Sequence, residues 1–203
     1  MSGTAGTRVF EIEDNVEVTI KDLTVRHGKV SGSSPRGGGI LNHGTLTLER
    51  VAVTANETTG VTGYVGGTAQ GGGIYSDSDL LVVDSSVSAN SARGGAGDSV
   101  GGDGEGGGLF AAGGVARLMN VTISGNIVRK GDASVGEVYT WIARGGGIYG
   151  VADLTLATCT IVENTTAQSG PDGDTEGAGV FSGPVGTLTI GSSIVANNSG
   201  PYS

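Results

Sequence analysis

The sequence predicts an all-β chain: a single-stranded right-handed parallel β-helix, a solenoid of about six rungs of roughly 32–39 residues with variable loops on one side. Three observations carry this. Glycine triplets or near-triplets begin at Gly37, Gly71, Gly106, Gly145 and Gly177, each leading into an aliphatic residue. A block of thirteen residues follows each one and ends in asparagine, at Asn56, Asn90, Asn126, Asn164 and Asn198. Within the blocks the apolar residues recur with a period of two, which is strand periodicity. Units of this kind cannot bury their apolar faces alone, so they must stack.

The first half of each block is a strand. Val18 and Ile20 match Leu46 and Leu48, Leu80 and Val82, Ala116 and Leu118, Leu154 and Leu156, and Leu188 and Ile190, all expected to point inward. After a two-residue corner comes a second strand. There Leu23 and Val25 match Val51 and Val53, Ser85 and Val87, Val121 and Ile123, Cys159 and Ile161, and Ser193 and Val195, again inward. The terminal asparagines suit a turn in the left-handed conformation, and stacked carboxamides can bond from rung to rung as a ladder. Gly28 takes that place in a sixth copy, "VEVTIKDLTVRHG". The triplet opens the third strand, where missing Cβ atoms suit a tight corner or a close backbone neighbour. After it, Leu41, Tyr75, Phe110, Tyr149 and Phe181 form one column, read as a structural stack before a sugar platform.

Composition agrees. The chain has 203 residues, enough for one domain with a continuous core. Its 41 glycines approach the low-complexity range, yet 36% of the residues are hydrophobic and lie in alternating runs that a disordered chain lacks. The net charge of −9 would be repelled by nucleic acid and by anionic membranes, so neither is an expected partner. Cys159 is the only cysteine, which excludes an internal disulfide. Residues 1–10 hold no signal-peptide core, and the run Leu80 to Val83 is too short for membrane insertion. Neither end shows a capping helix or polar cap, which solenoids normally need. The single β-helix domain, residues 1–203, is therefore expected to be a segment of a longer protein, with end-to-end self-association as the other way to cover its ends.

The pairing of GGG[I/L/V] with [V/I]xxN (Val53–Asn56, Val87–Asn90, Ile123–Asn126, Ile161–Asn164, Val195–Asn198) resembles the repeats of the chlamydial polymorphic outer-membrane proteins. It is more similar still to the glycine-rich β-helix repeats of large bacterial cell-surface and secreted proteins, since Val or Ile stands where the chlamydial motif has Phe. The resemblance implies a secreted or cell-surface location in the parent protein and a role in adhesion or surface display. It carries over no catalytic residue.

Chemistry is concentrated between each asparagine and the next triplet, at 57–70, 91–105, 127–144 and 165–176. Solenoids commonly bind on the side where such segments emerge. Asp103, Glu105, Glu137, Asp174 and Glu176 lie there, and carboxylates on a β-helix can cleave or hold polysaccharide. The plainer reading is a solvated acidic rim. Tyr139 and Trp141, the chain's sole tryptophan, are the carbohydrate-contact candidates, against a plainer role as a cover for the coil. Residues preceding the triplets, Arg36, Gln70, Glu105, Arg144 and Glu176, are read as a stabilising ladder. "GGAGDSVGGDGE" (94–105) approaches a calcium-binding nonapeptide but is one residue out of frame, so no cofactor is expected and calcium is the one candidate. His27 and His43 lie in turns without metal-ligand partners, and no Ser-His-Asp or Cys-His arrangement is argued.

Three functions stay open at this point. One is a rigid, non-enzymatic extracellular module for adhesion or display, with carbohydrate or a host or neighbouring cell surface as partner. The others are a carbohydrate-active β-helix, lyase or hydrolase, and a structural, filament-forming solenoid.

Overall fold

The computed structural model describes residues 6–133, 142–167 and 174–200. Among them every regular element is a strand, every strand pair is parallel, and the whole is a β-solenoid of about five turns. Six strands stacked in a sheet are joined by five circuits of the chain, which accounts for the difference from the expected six rungs.

Three six-stranded sheets enclose the core, and their registers match the alignment of the repeats residue for residue. One contains Thr45–Glu49, Leu80–Val83, Val115–Met119 and their counterparts, so that Leu46 lies beside Leu80, Leu80 beside Ala116, and Leu154 beside Leu188. The second contains Ala52–Thr54, Ser86–Ser88 and Thr122–Ser124, with Val53, Val87, Ile123 and Ile161 in one inward column. The third follows the triplets and stacks Ile40, Ile74, Leu109 and Ile148. These columns form one continuous buried cluster that includes Cys159. Leu23 in the first described rung, and Ile190 and Val195 in the last, are expected inward but exposed, because no further rung among the described residues packs on them.

The segments expected to be loops carry two further sheets. After Gly28 and after each asparagine from Asn56 to Asn164 runs a short strand, Lys29–Gly32, Glu57–Gly60, Ser91–Arg93, Ile127–Arg129 and Thr165–Ala167, five in all. Before the triplets at Gly71, Gly106, Gly145 and Gly177 runs another, Ala69–Gln70, Gly104–Glu105, Ile142–Arg144 and Asp174–Glu176. The two sheets face one another across a thin layer of small side chains, Ala69, Ala92, Val128 and Ala143. Beyond them a two-stranded sheet, Gly63–Val65 and Gly97–Val100, projects outward. Its neck is backbone against backbone. Gly95 donates to the Gly67 carbonyl at 2.9 Å, Gly102 to Gly95 at 2.8 Å and Gly131 to Gly102 at 2.8 Å, and a Cβ on Gly131 would collide with the Gly95 oxygen.

Three corners per turn use positive φ. The first holds Asp22, Arg50, Asp84, Asn120, Thr158 and Ser192 at 49–57°. The second holds His27, Ala55, Ala89, Gly125, Glu163 and Asn197 at 53–61°, and the third holds the first glycine of each triplet at 54–62°. A side-chain-bearing residue in this conformation costs about 1–2 kcal/mol. The cost is offset by bonds between turns, since Arg50 N–H donates to Val83 O at 3.1 Å and Ala89 N–H to Ser124 O at 3.0 Å. The ladder asparagines themselves were expected to be left-handed. Instead the residue before each one is, and the asparagine, outside the left-handed region, turns its side chain inward, so that Asn56, Asn90, Asn126 and Asn164 are buried.

That orientation builds the Asn ladder. Each carboxamide oxygen accepts from both the backbone N–H and the Nδ2 of the asparagine one turn earlier: Asn56 donates to Asn90 at 3.0 and 2.9 Å, and Asn90 to Asn126 at 3.0 and 3.0 Å. Asn126 does the same to Asn164, and Asn164 to Asn198. The other Nδ2 hydrogen goes to a carbonyl of the preceding turn, as from Asn90 to Val53 O at 2.9 Å. Gly28 starts the series by donating its N–H to Asn56 Oδ1 at 2.9 Å. The buried amides are thus fully paired, as interior polar groups must be.

Candidate functional site

The triplet places one residue just before its left-handed glycine and one just after its aliphatic residue. In a parallel stack these become two adjacent columns, one charged and one aromatic. The charged column is continuous. Arg36 Nε donates to Gln70 Oε1 at 3.0 Å, Gln70 Nε2 to Glu105 Oε2 at 2.7 Å, and Arg144 Nε to Glu176 Oε2 at 2.8 Å. Arg144 Nη1 reaches Glu105 Oε1 at 3.5 Å and closes the remaining gap.

The aromatic column lies beneath it. Tyr75 meets Phe110 edge-on at 5.4 Å, Phe110 stacks on Tyr149 at 4.7 Å and 2°, and Tyr149 meets Phe181 at 5.3 Å. The guanidinium groups cover its ends, Arg36 at 5.0 Å from the Tyr75 ring centroid and Arg144 at 5.6 Å from that of Phe181. Tyr75, Phe110 and Tyr149 are buried, so these rings are packed within the protein and offer no open stacking surface.

Glu105 is only 8% exposed. Burial pushes its carboxyl above the usual carboxylate range, against the opposing hydrogen bond from Gln70. Asp103, two residues earlier, is also raised by burial, while its Oδ1 accepts the Ile142 N–H at 2.7 Å. Arg144 and Lys130 both bear on Asp103 electrostatically. Lys130 is the residue that the sequence reading missed. It follows Ile127–Arg129 and is 1% exposed, although "VRKGD" has the composition of a solvated turn.

The sequence candidates therefore divide. Asp103, Glu105 and Glu176 are brought to one region around Arg144. Asp174 lies on the same strand as Glu176, paired with Ile142. Glu137, Tyr139 and Trp141 lie outside the described residues. In the segment compared with a calcium loop, Asp98 is exposed on Gly97–Val100, whereas Asp103 is engaged as above. Among the described residues no group of three or more His, Cys, Asp or Glu is placed to hold a metal ion, and no helix is long and apolar enough to cross a membrane.

Two depressions lie among the described residues away from this region. His43 Nδ1 lies 2.9 Å from both Asp77 carboxylate oxygens beside an open polar hollow of about 680 Å³, lined also by Asp14, Asn15, Thr45 and Ser78. An apolar hollow of about 580 Å³ lies at the C-terminal end, among Val180, Leu188, Ile190 and Val195.

Comparison with family models, with curated proteins and with solved structures finds no match. The resemblance to bacterial surface repeats therefore rests on the repeats themselves.

Proposed function

We propose that the chain is a rigid, non-enzymatic scaffold for adhesion or display at a cell surface. The observation that supports this reading is the state of the acidic candidates. Glu105 accepts from Gln70 and Arg144, Glu176 from Arg144, and Asp103 from the Ile142 N–H. Each of these three carboxylates is engaged by a donor on a neighbouring turn. Groups used this way hold turns in register, whereas a general acid or base needs an oxygen open to substrate. Similarity to bacterial surface repeats points the same way, and the partner is then carbohydrate or another cell-surface component.

The test is a binding screen with the immobilised chain against a broad glycan panel and intact cell surfaces. Saturable binding without turnover of the bound glycan is the expected result. Absence of binding throughout, or cleavage of a polysaccharide that Glu105→Gln abolishes, overturns the reading.

A further inference from the structure

We propose that the projecting sheet of Gly63–Val65 and Gly97–Val100 is a binding site for neutral pyranose sugars, with the Tyr64 ring as platform and the Asp98 carboxylate as hydrogen-bond acceptor. This site rests on the adhesive role proposed above and gives it a place and a class of ligand.

Exposed apolar surface singles out the projection. Away from the first and last turns, the exposed large apolar side chains among the described residues are Val61, Tyr64, Val65 and Met119, and three of these stand together here. Such clusters on an otherwise polar surface mark contact sites. Tyr64 is 74% exposed, whereas Tyr75, Phe110 and Tyr149 are packed inside. Among the described residues it is the one aromatic ring mostly open to solvent.

The stack is complete around it, since the turns on both sides are present. Val61 N–H donates to Gly32 O of the turn before at 2.9 Å, and Gly63 and Gly66 donate to Ala96 O and Val100 O of the turn after at 3.1 and 2.8 Å. Gly67 N–H closes the loop on Val61 O at 2.9 Å. The turn before has no counterpart of Gly63–Val65, which leaves the outer edge of that strand open.

The register supplies the polar half. Gly63 lies beside Gly97 and Val65 beside Val100, so a bulge sets two residues, Asp98 and Ser99, against Tyr64 alone. Bulges re-aim side chains in this way beside binding sites. Neighbouring strands stand about 4.8 Å apart, which brings Asp98 within reach of a ring resting on Tyr64. Asp98 is exposed, and neither it nor Tyr64 has a hydrogen-bond or ion-pair partner among the described residues. Asp103, Glu105 and Glu176 are all engaged.

The ligand class follows from this chemistry. The C–H face of a pyranose is slightly positive and packs on the negative face of an aromatic ring. Its hydroxyls donate charge-assisted bonds to a carboxylate. Asp98 and the net charge of −9 repel sugar acids, which selects neutral sugars. The bonds of the glycine neck fix the projection beforehand, so little order is lost on binding.

The experiment applies the whole chain to an array of neutral oligosaccharides of glucose, mannose, galactose and N-acetylglucosamine, with polygalacturonate as the acidic counterpart. Isothermal titration then follows the tightest binder. A neutral oligosaccharide should bind, about tenfold or more weakly to Tyr64→Ala, undiminished to Tyr64→Trp, and more weakly to Asp98→Asn. Both positions are exposed, so circular dichroism should show the fold retained in each variant. Binding that Tyr64→Ala leaves intact, or binding to no neutral oligosaccharide, overturns this site while the adhesive role stands; binding to no glycan and no cell surface overturns both. Preference for polygalacturonate overturns the site as well. So does cell binding that needs Tyr64 but survives periodate cleavage of the surface sugars, since the occupant would then be a protein.

Discussion

Gly179 and Asn198 share one space: a Cβ on the glycine would stand 2.8 Å from Asn198 Nδ2. The same relation joins Gly39 to Asn56, Gly73 to Asn90, Gly108 to Asn126 and Gly147 to Asn164, with the Cβ at 2.8–3.0 Å from the carboxamide carbon. The third glycine of the triplet is therefore the room made for the ladder side chain of the same turn, and the two motifs recur together for this reason. In the inner turns a backbone oxygen also crowds that Cβ, but at Gly179 the closest atoms belong to side chains. Gly179→Ala should destabilise the chain, and Asn198→Ala in the same molecule should recover part of the loss. A double-mutant cycle by urea unfolding should give a coupling of about 1 kcal/mol. Strict additivity would show that the two do not compete for space.

Asn126 is the middle of the ladder. Replacing it with alanine leaves the Asn90 N–H and Nδ2, the Asn164 oxygen and the Val87 carbonyl short of partners. Asn126→Ala should cost about 3 kcal/mol or more at equilibrium, since each buried orphan costs about 1–3 kcal/mol. Asn198→Ala, in the part-buried last turn, should cost less.

Phe110 is clamped between Tyr75 and Tyr149. Phe110→Ala should lose about 3–5 kcal/mol as a buried aromatic truncation. Phe110→Leu keeps most of the apolar area and should lose chiefly the ring contacts, about 0.5–1.5 kcal/mol for each aromatic pair. Near-ultraviolet circular dichroism should weaken in both variants.

Glu105 gives a pH signature of definite sign. Its folded carboxyl titrates above its unfolded value because burial disfavours the charge. Between those two values the folded state binds more protons than the unfolded one, so stability falls as pH rises through the window. Acidification from neutral pH towards the ordinary glutamate range should therefore stabilise the wild type relative to Glu105→Gln, which lacks the titrating group. Asp103 is raised by the same cause and adds to the wild-type slope, so the difference between the two chains isolates Glu105. Thermal melts across this range measure it; a constant difference between the chains would contradict the assignment.

Much of the frame was legible before any coordinates. Leu46, Leu80, Ala116, Leu154 and Leu188 align in the sequence as they stack in space, because a parallel ladder copies the spacing of the repeat. The aromatic and charged columns were legible for the same reason. What escaped was structure without an apolar signal. The strands after each asparagine turn Thr58, Ala92, Val128 and Thr166 inward, a column too small and too polar to register as a core. Their order comes from backbone bonds between turns, which no local pattern encodes. The left-handed corner lies one residue earlier than expected, at Ala55 or Ala89 instead of the asparagine, because local propensity favours asparagine there while the ladder uses its side chain on the inside of the coil. The burial of Lys130 and Glu105 depends on two thin sheets closing over them, a non-local fact.

The one-sided ladder also gives the solenoid a grain. Each turn rests on donors from the turn before it and offers an acceptor back. Cooperativity in such an array passes from neighbour to neighbour. Amide exchange should therefore be slowest in the turns of Asn90 and Asn126, whose ladder side chains are bonded to the turns on both sides.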